Sequence, residues 1–198
     1  MAVGQGVFNK SLIHISVETV AAYQVAGRLD MLVFLPIFSI AASLTTLIGM
    51  FYGAKEFEAL RFTIRYGIIS ALIITIFSSA LVYIFADQVV RFFTKDESIV
   101  LIAVNFLQIF AFAYPFIAVG ITTGRVLQGL GKGLPVLVIT IVRVLGVSAP
   151  LALFFVFIME KSVEWVWYSM MLSTVVAFAI GLTWLVSTIK KLPVKKSD

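Results

Sequence analysis

The chain has 198 residues, of which 61% are hydrophobic and 13% are charged, and its mean hydropathy is +1.09. A soluble core of this size does not need so much apolar surface, so the composition indicates an integral membrane protein. Cysteine is absent, which excludes disulfides, thiolate catalysis and cysteine-ligated metals. The net charge of +5 invites a nucleic-acid interpretation, but the basic residues flank apolar stretches without the interleaved aromatic rings of single-strand binders. We therefore expect no nucleic-acid partner.

Residues 1–16 form the first predicted element, a helix whose beginning is missing from the chain. They are mildly apolar and carry Lys10 and His14. A signal peptide would begin with its positive charge and end in small residues at a cleavage site, and neither feature is present. His14 is the only histidine of the chain and is expected at a helix end, so a multi-histidine metal site cannot form within the sequence.

Five apolar stretches follow, and each is long enough to cross the hydrocarbon core, which takes about 20 helical residues. Because lipid offers no partner for backbone N–H and C=O groups, these stretches are predicted to be helices and not strands. Bends are expected at Pro36, Pro115 and Pro150, since proline removes a backbone hydrogen bond. The predicted membrane helices cover residues 18–54, 57–90, 98–128, 134–159 and 164–189.

The basic residues between these helices fall mostly on one side of the membrane, and Lys and Arg are retained on the cytoplasmic side. One side carries Lys55, Arg61, Arg65, Arg125, Lys132, Lys190, Lys191, Lys195 and Lys196. The other side carries Arg91, Lys95 and Lys161 beside Asp87, Asp96, Glu97, Glu160 and Glu164. The sequence therefore predicts a cytoplasmic C-terminus, with residues 190–198 as a basic tail at anionic headgroups. Trp165, Trp167 and Tyr168 are predicted to anchor the opposite interface.

Ionisable residues near or inside the apolar spans are functional candidates, since a charge in mid-bilayer costs about 2.5–3.5 kcal/mol. Asp30 is interpreted either as a group that attracts a cationic substrate or proton in an outer cleft, or as a structural carboxylate bonded to a neighbouring helix. Gln24 and Arg28 share a helix face, whereas Arg28 and Asp30 point apart. Arg125 and Arg143, near the inner helix ends, are interpreted as anchors or pairing partners.

Asn105, Gln108, Phe112 and Pro115 recur at helical spacing and predict one partly polar stripe on a single helix. Such a stripe either lines a cleft that offers amides and aromatic rings to flat cations, or simply holds helices together. No catalytic, cofactor-binding or metal-binding residue is predicted. The substrate-cleft candidates are Tyr23, Gln24, Arg28, Asp30, Phe34, Asn105, Gln108, Phe112 and Tyr114.

Glycine patterns in the chain are interpreted as structural. Gly49-x-x-x-Gly53 and Gly120-x-x-x-Gly124 permit close helix approach. The sequence GLGKG at residues 129–133 does not meet the spacing of a phosphate-binding loop and is flanked by membrane helices, so ATP binding is rejected.

Three segments carry a family resemblance. The first comprises AAYQVAGRLD at residues 21–30, Leu35-Pro36, IAASLTTLIG at residues 40–49 and Gly53-Ala54, and it resembles the eighth-helix signature of multidrug and toxic compound extrusion (MATE) transporters. The second comprises Tyr114-Pro115-Phe116 and VLQGLGK at residues 126–132, and it resembles the tenth helix and the cytoplasmic turn after it. The third comprises Arg143, Gly146, Ser148 and Pro150, and it resembles the eleventh helix.

The resemblance implies an all-α fold, one six-helix lobe of a twelve-helix transporter in the cell membrane, with helices seven (truncated) to twelve. It implies secondary active multidrug efflux, in which amphipathic or cationic organic compounds leave the cell in exchange for Na⁺ or H⁺. The implied partners are the organic substrates, membrane lipid and the missing N-terminal lobe of the same polypeptide. No cofactor is implied.

One departure from the family pattern bears on ion coupling. NorM-type members carry a coupling carboxylate on the tenth helix near Pro115, whereas residues 112–123 contain no acid here and Ile117 takes the aligned position. The sequence therefore looks closer to the DinF-type branch, whose coupling carboxylates lie in the N-terminal lobe.

Two alternatives to drug efflux are kept open. A flippase for lipid-linked oligosaccharides, from the same broader superfamily, would favour a strongly cationic central cleft. A membrane scaffold without transport activity is the other. An enzyme is disfavoured because the sequence shows no intramembrane His/Glu cluster, Ser/His pair or metal-ligand spacing.

Overall fold

The computed structural model describes residues 12–13, 16–158 and 162–193, and every regular element within these ranges is helical. Most of the predicted truncated helix at residues 1–16, with Lys10 and His14, lies outside the described residues. So do Glu160, Lys161, Lys195, Lys196 and the end of the predicted tail. The elements are α1 (Val17–Gly53), α2 (Phe57–Phe93), α3 (Glu97–Ala111), α4 (Tyr114–Gly129), α5 (Gly133–Ile141), a π-helical segment (Val142–Ser148), α6 (Ala149–Leu153), a second π-helical segment (Phe154–Ile158) and α7 (Val163–Lys190).

Local sequence explains where several helices begin. Ser16 caps α1 by accepting a hydrogen bond from the Thr19 backbone N–H at 3.1 Å. Asp96 caps α3 by accepting from the Ser98 N–H at 3.0 Å. Each cap satisfies a backbone donor that has no partner within its own helix. The turn between α4 and α5 contains Gly131 at φ 74°, a left-handed conformation that glycine adopts without a Cβ clash.

The helices alternate in direction, so that their ends gather at two poles of the bundle. At one pole Thr45 Oγ1 of α1 donates to the Arg125 carbonyl oxygen at 3.4 Å, and Arg61 Nη2 donates to the Leu192 carbonyl oxygen at 3.1 Å, just beyond α7. We call this pole, with the α1–α2 turn, the α4–α5 turn and the end of α7, the basic end. The opposite pole holds the α2–α3 turn, where Arg91 Nη1 lies 2.6 Å from Glu97 Oε1. Which pole is cytoplasmic stays a prediction.

The stretch predicted as one helix over residues 98–128 is two helices, α3 and α4, which differ in direction by 59°. The break at residues 112–113 follows from Pro115, which lacks the N–H that would bond to the Ala111 carbonyl four residues earlier. Ser79 of α2 instead donates its hydroxyl to the Ala111 carbonyl oxygen. A residue from the neighbouring helix therefore satisfies the carbonyl that the proline leaves without a helical partner.

The other two prolines interrupt their helices less. α1 continues through Pro36 without a break. Pro150 is the second residue of the short α6, and the Ala149 N–H before it bonds to the Val144 carbonyl, five residues back, as in a π-helix. The wider π-helical turn keeps the chain helical on the approach to the proline.

The packing of α2 is that of a helix at the periphery of a membrane bundle. In its middle it buries small residues four positions apart, Gly67, Ala71, Thr75 and Ser79. Large apolar side chains cover the rest of its surface. Within the described residues, four helical stretches are long and apolar enough to cross a membrane, or five if α3 and α4 form one broken span. The limits of the five predicted spans stay a prediction.

Candidate functional site

A half-buried carboxylate, Asp30, lies at the contact between α1 and α4. The Tyr114 hydroxyl donates a hydrogen bond to Asp30 Oδ1, although the two residues are 84 positions apart in sequence. Phe34, one turn after Asp30 on the same face of α1, meets the Tyr114 ring edge-on, with ring centroids 5.3 Å apart. Tyr114 is fully buried and stands in the first turn of α4, directly after the helix break. The break therefore directs this phenol toward the carboxylate.

Within the described part of the chain, Asp30 has one donor, the Tyr114 hydroxyl, and further carboxylate lone pairs without a partner. A carboxylate in such a position can take up a proton, attract an organic cation or coordinate a monovalent cation. The alternative interpretation, a structural carboxylate bonded to a neighbouring helix, is met by the same hydrogen bond. Geometry alone thus supports both interpretations of Asp30.

An aromatic cluster extends from Asp30 toward the pole opposite the basic end. Tyr23 stacks on Trp167 with ring centroids 5.8 Å apart and meets Phe106 edge-on at 5.7 Å.

Trp167 is fully buried, so the prediction that it anchors the membrane interface is wrong. Trp165 and Tyr168, 40% and 48% exposed, remain compatible with an interfacial position. Three neighbouring aromatic residues on a helix cannot all face the same way, and Trp167 takes the inward direction.

Gln24 and Arg28 lie on the exposed surface of α1. They are four residues apart and share a face, as their spacing predicts. Asp30, two residues beyond Arg28, faces inward toward α4 instead. The predicted cleft candidates on α1 therefore divide into an exposed pair and a partly buried group.

The predicted stripe of Asn105, Gln108, Phe112 and Pro115 is not one surface, and this correction follows from the helix break. Asn105 and Gln108 line a recess of about 270 Å³ together with the Asp87–Arg91–Glu97 ion pairs of the α2–α3 turn. Phe112 is 62% exposed and packs edge-on against Tyr83 of α2, with ring centroids 5.7 Å apart. Helical spacing does not apply across the break at residues 112–113, so Phe112 and Pro115 do not continue the face of Asn105 and Gln108.

A larger cavity, of about 300 Å³, lies in the half of the bundle nearer the basic end, between α4, α5, the π-helical segment after it and α7. We call it the arginine cavity. The sequence does not predict this cavity: its patterns indicate Arg125 and Arg143 as anchors or pairing partners and Gly120 and Gly124 as packing glycines. A Cβ at Gly120 would meet nothing within 4 Å. The polar residues that line the arginine cavity are Arg125, Gln128, Thr140, Arg143 and Thr174.

No signal in the linear sequence joins these residues, because they come from α4, α5, the π-helical segment after it and α7. The one available hint was the charge of Arg143, the single ionised side chain within its apolar stretch. Across residues 12–13, 16–158 and 162–193, no group of three His, Asp or Glu side chains comes close enough together to hold a metal ion.

The family model described as MatE matches residues 1–154. A curated relative from Thermotoga maritima, the probable multidrug resistance protein NorM, is 25% identical over 180 residues, which cover 91% of this chain and 39% of the relative. The chain thus spans about two fifths of the length of that relative.

Solved structures of MATE transporters also match this chain. An outward-facing multidrug resistance MATE transporter of the MOP superfamily matches with a TM-score of 0.88 and 28% identity, covering 100% of this chain and 44% of the other. An inward-facing one matches with a TM-score of 0.87 and 28% identity, covering 98% and 45%. These matches confirm the predicted fold class, a transmembrane helix bundle like one lobe of such a transporter.

Proposed function

Because this chain belongs to the MatE family, a family of membrane transporters, we propose that it forms one lobe of a secondary active multidrug exporter. The exporter expels amphipathic or cationic organic compounds in exchange for Na⁺ or H⁺. The observation that carries the proposal is the match to both conformations of MATE transporters, with nearly equal TM-scores of 0.88 and 0.87. A lobe that fits both states equally well is suited to move as a rigid body between them.

We assign the chain to the C-terminal lobe, in agreement with the order of its sequence motifs. The second lobe of the same polypeptide is then its main partner, and the exposed Gln24–Arg28 face of α1 is a candidate wall of the cleft between the lobes. Substrate sites between two such repeats lie near the middle of the bilayer. Assignment to the DinF-type branch rests on the absence of an acid in residues 112–123, and the NorM name of the Thermotoga maritima relative does not itself support it.

Within this lobe, Asp30 is the residue we propose to attract the cationic substrate or the coupling ion. It is the half-buried carboxylate between α1 and α4. Three aromatic rings on these two helices lie near it, those of Tyr23 and Phe34 on α1 and that of Tyr114 on α4. Aromatic faces and a carboxylate together favour a flat organic cation. The coupling carboxylates proper belong, on this proposal, to the other lobe.

The test is ethidium efflux from cells of an efflux-deficient bacterial host that express the complete gene product. We expect efflux to depend on one of two gradients, that of protons or that of sodium. The gradient whose dissipation stops efflux identifies the coupling ion. Asp30→Asn should abolish this efflux at normal expression, because asparagine keeps an acceptor for the Tyr114 hydroxyl but cannot carry a charge.

Asp96→Asn is the matched control, since it removes an exposed carboxylate while asparagine remains a good helix N-cap. Its efflux should equal that of the parent protein. Unchanged efflux in Asp30→Asn would leave Asp30 as a structural carboxylate. No gradient-dependent efflux at all, despite good expression, would favour the flippase or scaffold alternatives.

A further inference from the structure

The arginine cavity differs in charge from the Asp30 region. Arg125 and Arg143 both line it, and none of its lining residues is acidic. Arg125 Nη1 donates to Gln128 Oε1 at 3.3 Å, and within the described ranges no carboxylate pairs with this guanidinium. For Arg143, the described part of the chain provides neither a hydrogen bond nor an ion pair.

A guanidinium without a counter-ion costs free energy at the position of Arg143. Arg143 is half-buried and lies within an otherwise uncharged apolar stretch of residues 134–158. Ionised residues within membrane segments are usually paired or face a water-filled cavity with a functional role. Among the residues that the structure describes, no carboxylate therefore balances the positive charge in the cavity.

The remaining walls are apolar and aromatic. Phe116 of α4 and Phe178 of α7 meet edge-on with ring centroids 5.2 Å apart, and Phe38 of α1 and Ile117 complete this side. A volume of about 300 Å³ is at the small end of the range for ligand pockets, which suits a body of one or two fused rings.

We propose that the arginine cavity binds an amphipathic organic anion. A carboxylate or phosphate group accepts paired hydrogen bonds from the planar Arg143 guanidinium, with Arg125 and Gln128 nearer the basic end, and the apolar body packs on Phe116 and Phe178. The same two arginines repel cations, so this ligand is not the cation of the proposed efflux. The site is separate from Asp30 and does not depend on that residue's role.

The experiment compares two probes of the same shape and opposite charge, radiolabelled 2-naphthoate and 2-naphthylmethylammonium. Equilibrium dialysis measures their binding to the complete gene product in nanodiscs of phosphatidylcholine. We expect 2-naphthoate to bind at least about tenfold more tightly than the ammonium probe, since a charge-assisted pair accounts for such a ratio. Arg143→Gln should remove this preference.

Two further variants guard against a trivial result. Arg65→Gln removes an exposed arginine of α2 that does not line the cavity, and it should leave 2-naphthoate binding unchanged. Gly120→Leu places a side chain in the empty space of the cavity without changing any charge, and it should also abolish 2-naphthoate binding. Equal affinities for the two probes, or 2-naphthoate binding that survives both Arg143→Gln and Gly120→Leu, would overturn the proposal.

The same measurement distinguishes two sources of the anion. The measurement is repeated in nanodiscs that contain phosphatidylglycerol. If 2-naphthoate binds more weakly there, the lipid competes for the cavity, and the anion is a phospholipid headgroup from the membrane. Undiminished binding there identifies a soluble organic acid instead. Either result supports an anion site, whereas loss of the charge preference in both kinds of nanodisc contradicts it.

Discussion

Tyr114 is the residue on which the geometry of Asp30 depends. Its hydroxyl is the hydrogen-bond donor to the carboxylate, and its buried ring fixes the position of that donor against Phe34. The donor comes from the first turn of α4, so it is held by the helix break and by the packing of α1 on α4. An aspartate held in this way has a defined orientation toward whatever approaches it.

We predict that Tyr114→Phe destabilises the protein by about 1–3 kcal/mol, because it leaves a half-buried carboxylate without its donor. The measurement is the thermal unfolding midpoint in detergent, followed by tryptophan fluorescence. Tyr83→Phe is the matched control, since Tyr83 is exposed against Phe112. In an Asp30→Ala background the effect of Tyr114→Phe should become small, and an undiminished effect there would show that the hydrogen bond is not its cause.

At the scale of elements, two glycines allow helices of the bundle to approach closely. A Cβ at Gly129 would lie 2.8 Å from the Thr45 carbonyl oxygen, and one at Gly67 would lie 2.5 Å from Leu44 Cδ2. The glycine patterns interpreted as packing motifs behave differently. A Cβ at Gly49 would make ordinary contact at 3.5 Å, and positions 53 and 120 have open space. Close approach therefore depends on glycines outside those motifs.

Gly129→Ala should accordingly lower stability by about 1–3 kcal/mol, the usual effect of overpacking, because α1 and α4 must move apart at the basic end. Gly53→Ala, at the end of α1, is the control and should not destabilise the protein, since its Cβ meets nothing within 4 Å. Both variants can be compared by the fraction that remains monodisperse after heating in detergent. Indistinguishable curves would mean that the helices separate without loss at this contact.

At the scale of the whole molecule, the bundle has two chemically different poles and an apolar surface between them. Lys55, Lys190 and Lys191 stand at the basic end, and Asp87, Asp96, Glu97 and Glu164 stand at the other. Exposed side chains on the surface between them are large and apolar, especially along α2. Such a surface is suited to lipid and the second lobe, while the charge difference predicts the orientation.

The absence of cysteine from the chain gives a direct test of that orientation. Single cysteines at Glu56, in the α1–α2 turn, and at Ser98, at the start of α3, alter exposed positions without removing a lysine or arginine. With any cysteines outside this chain replaced, a membrane-impermeant maleimide should label Ser98→Cys in intact cells and Glu56→Cys only after permeabilisation. The reverse pattern would place the basic end and the C-terminus outside the cytoplasm.

The fold class and the separation of the helix ends into two poles could be predicted from the order of the amino acids. These features depend on two local properties, the length of an apolar run and the charges beside it. The thickness of the bilayer sets the first, and the retention of basic residues on one side of the membrane sets the second. Asp30 is also a candidate from sequence, since it is a carboxylate beside a long apolar span. The sequence did not indicate which residues of different helices face one another.

Packing between helices sets four features that the sequence does not show: the break before Tyr114, the contact of Tyr114 with Asp30, the burial of Trp167 and the common cavity of Arg125 and Arg143. Lipid-facing and protein-facing surfaces of these helices are both apolar, so periodicity does not set the rotation of a helix about its axis. That rotation is fixed by packing between helices, by small residues and by the few hydrogen bonds that join distant parts of the chain.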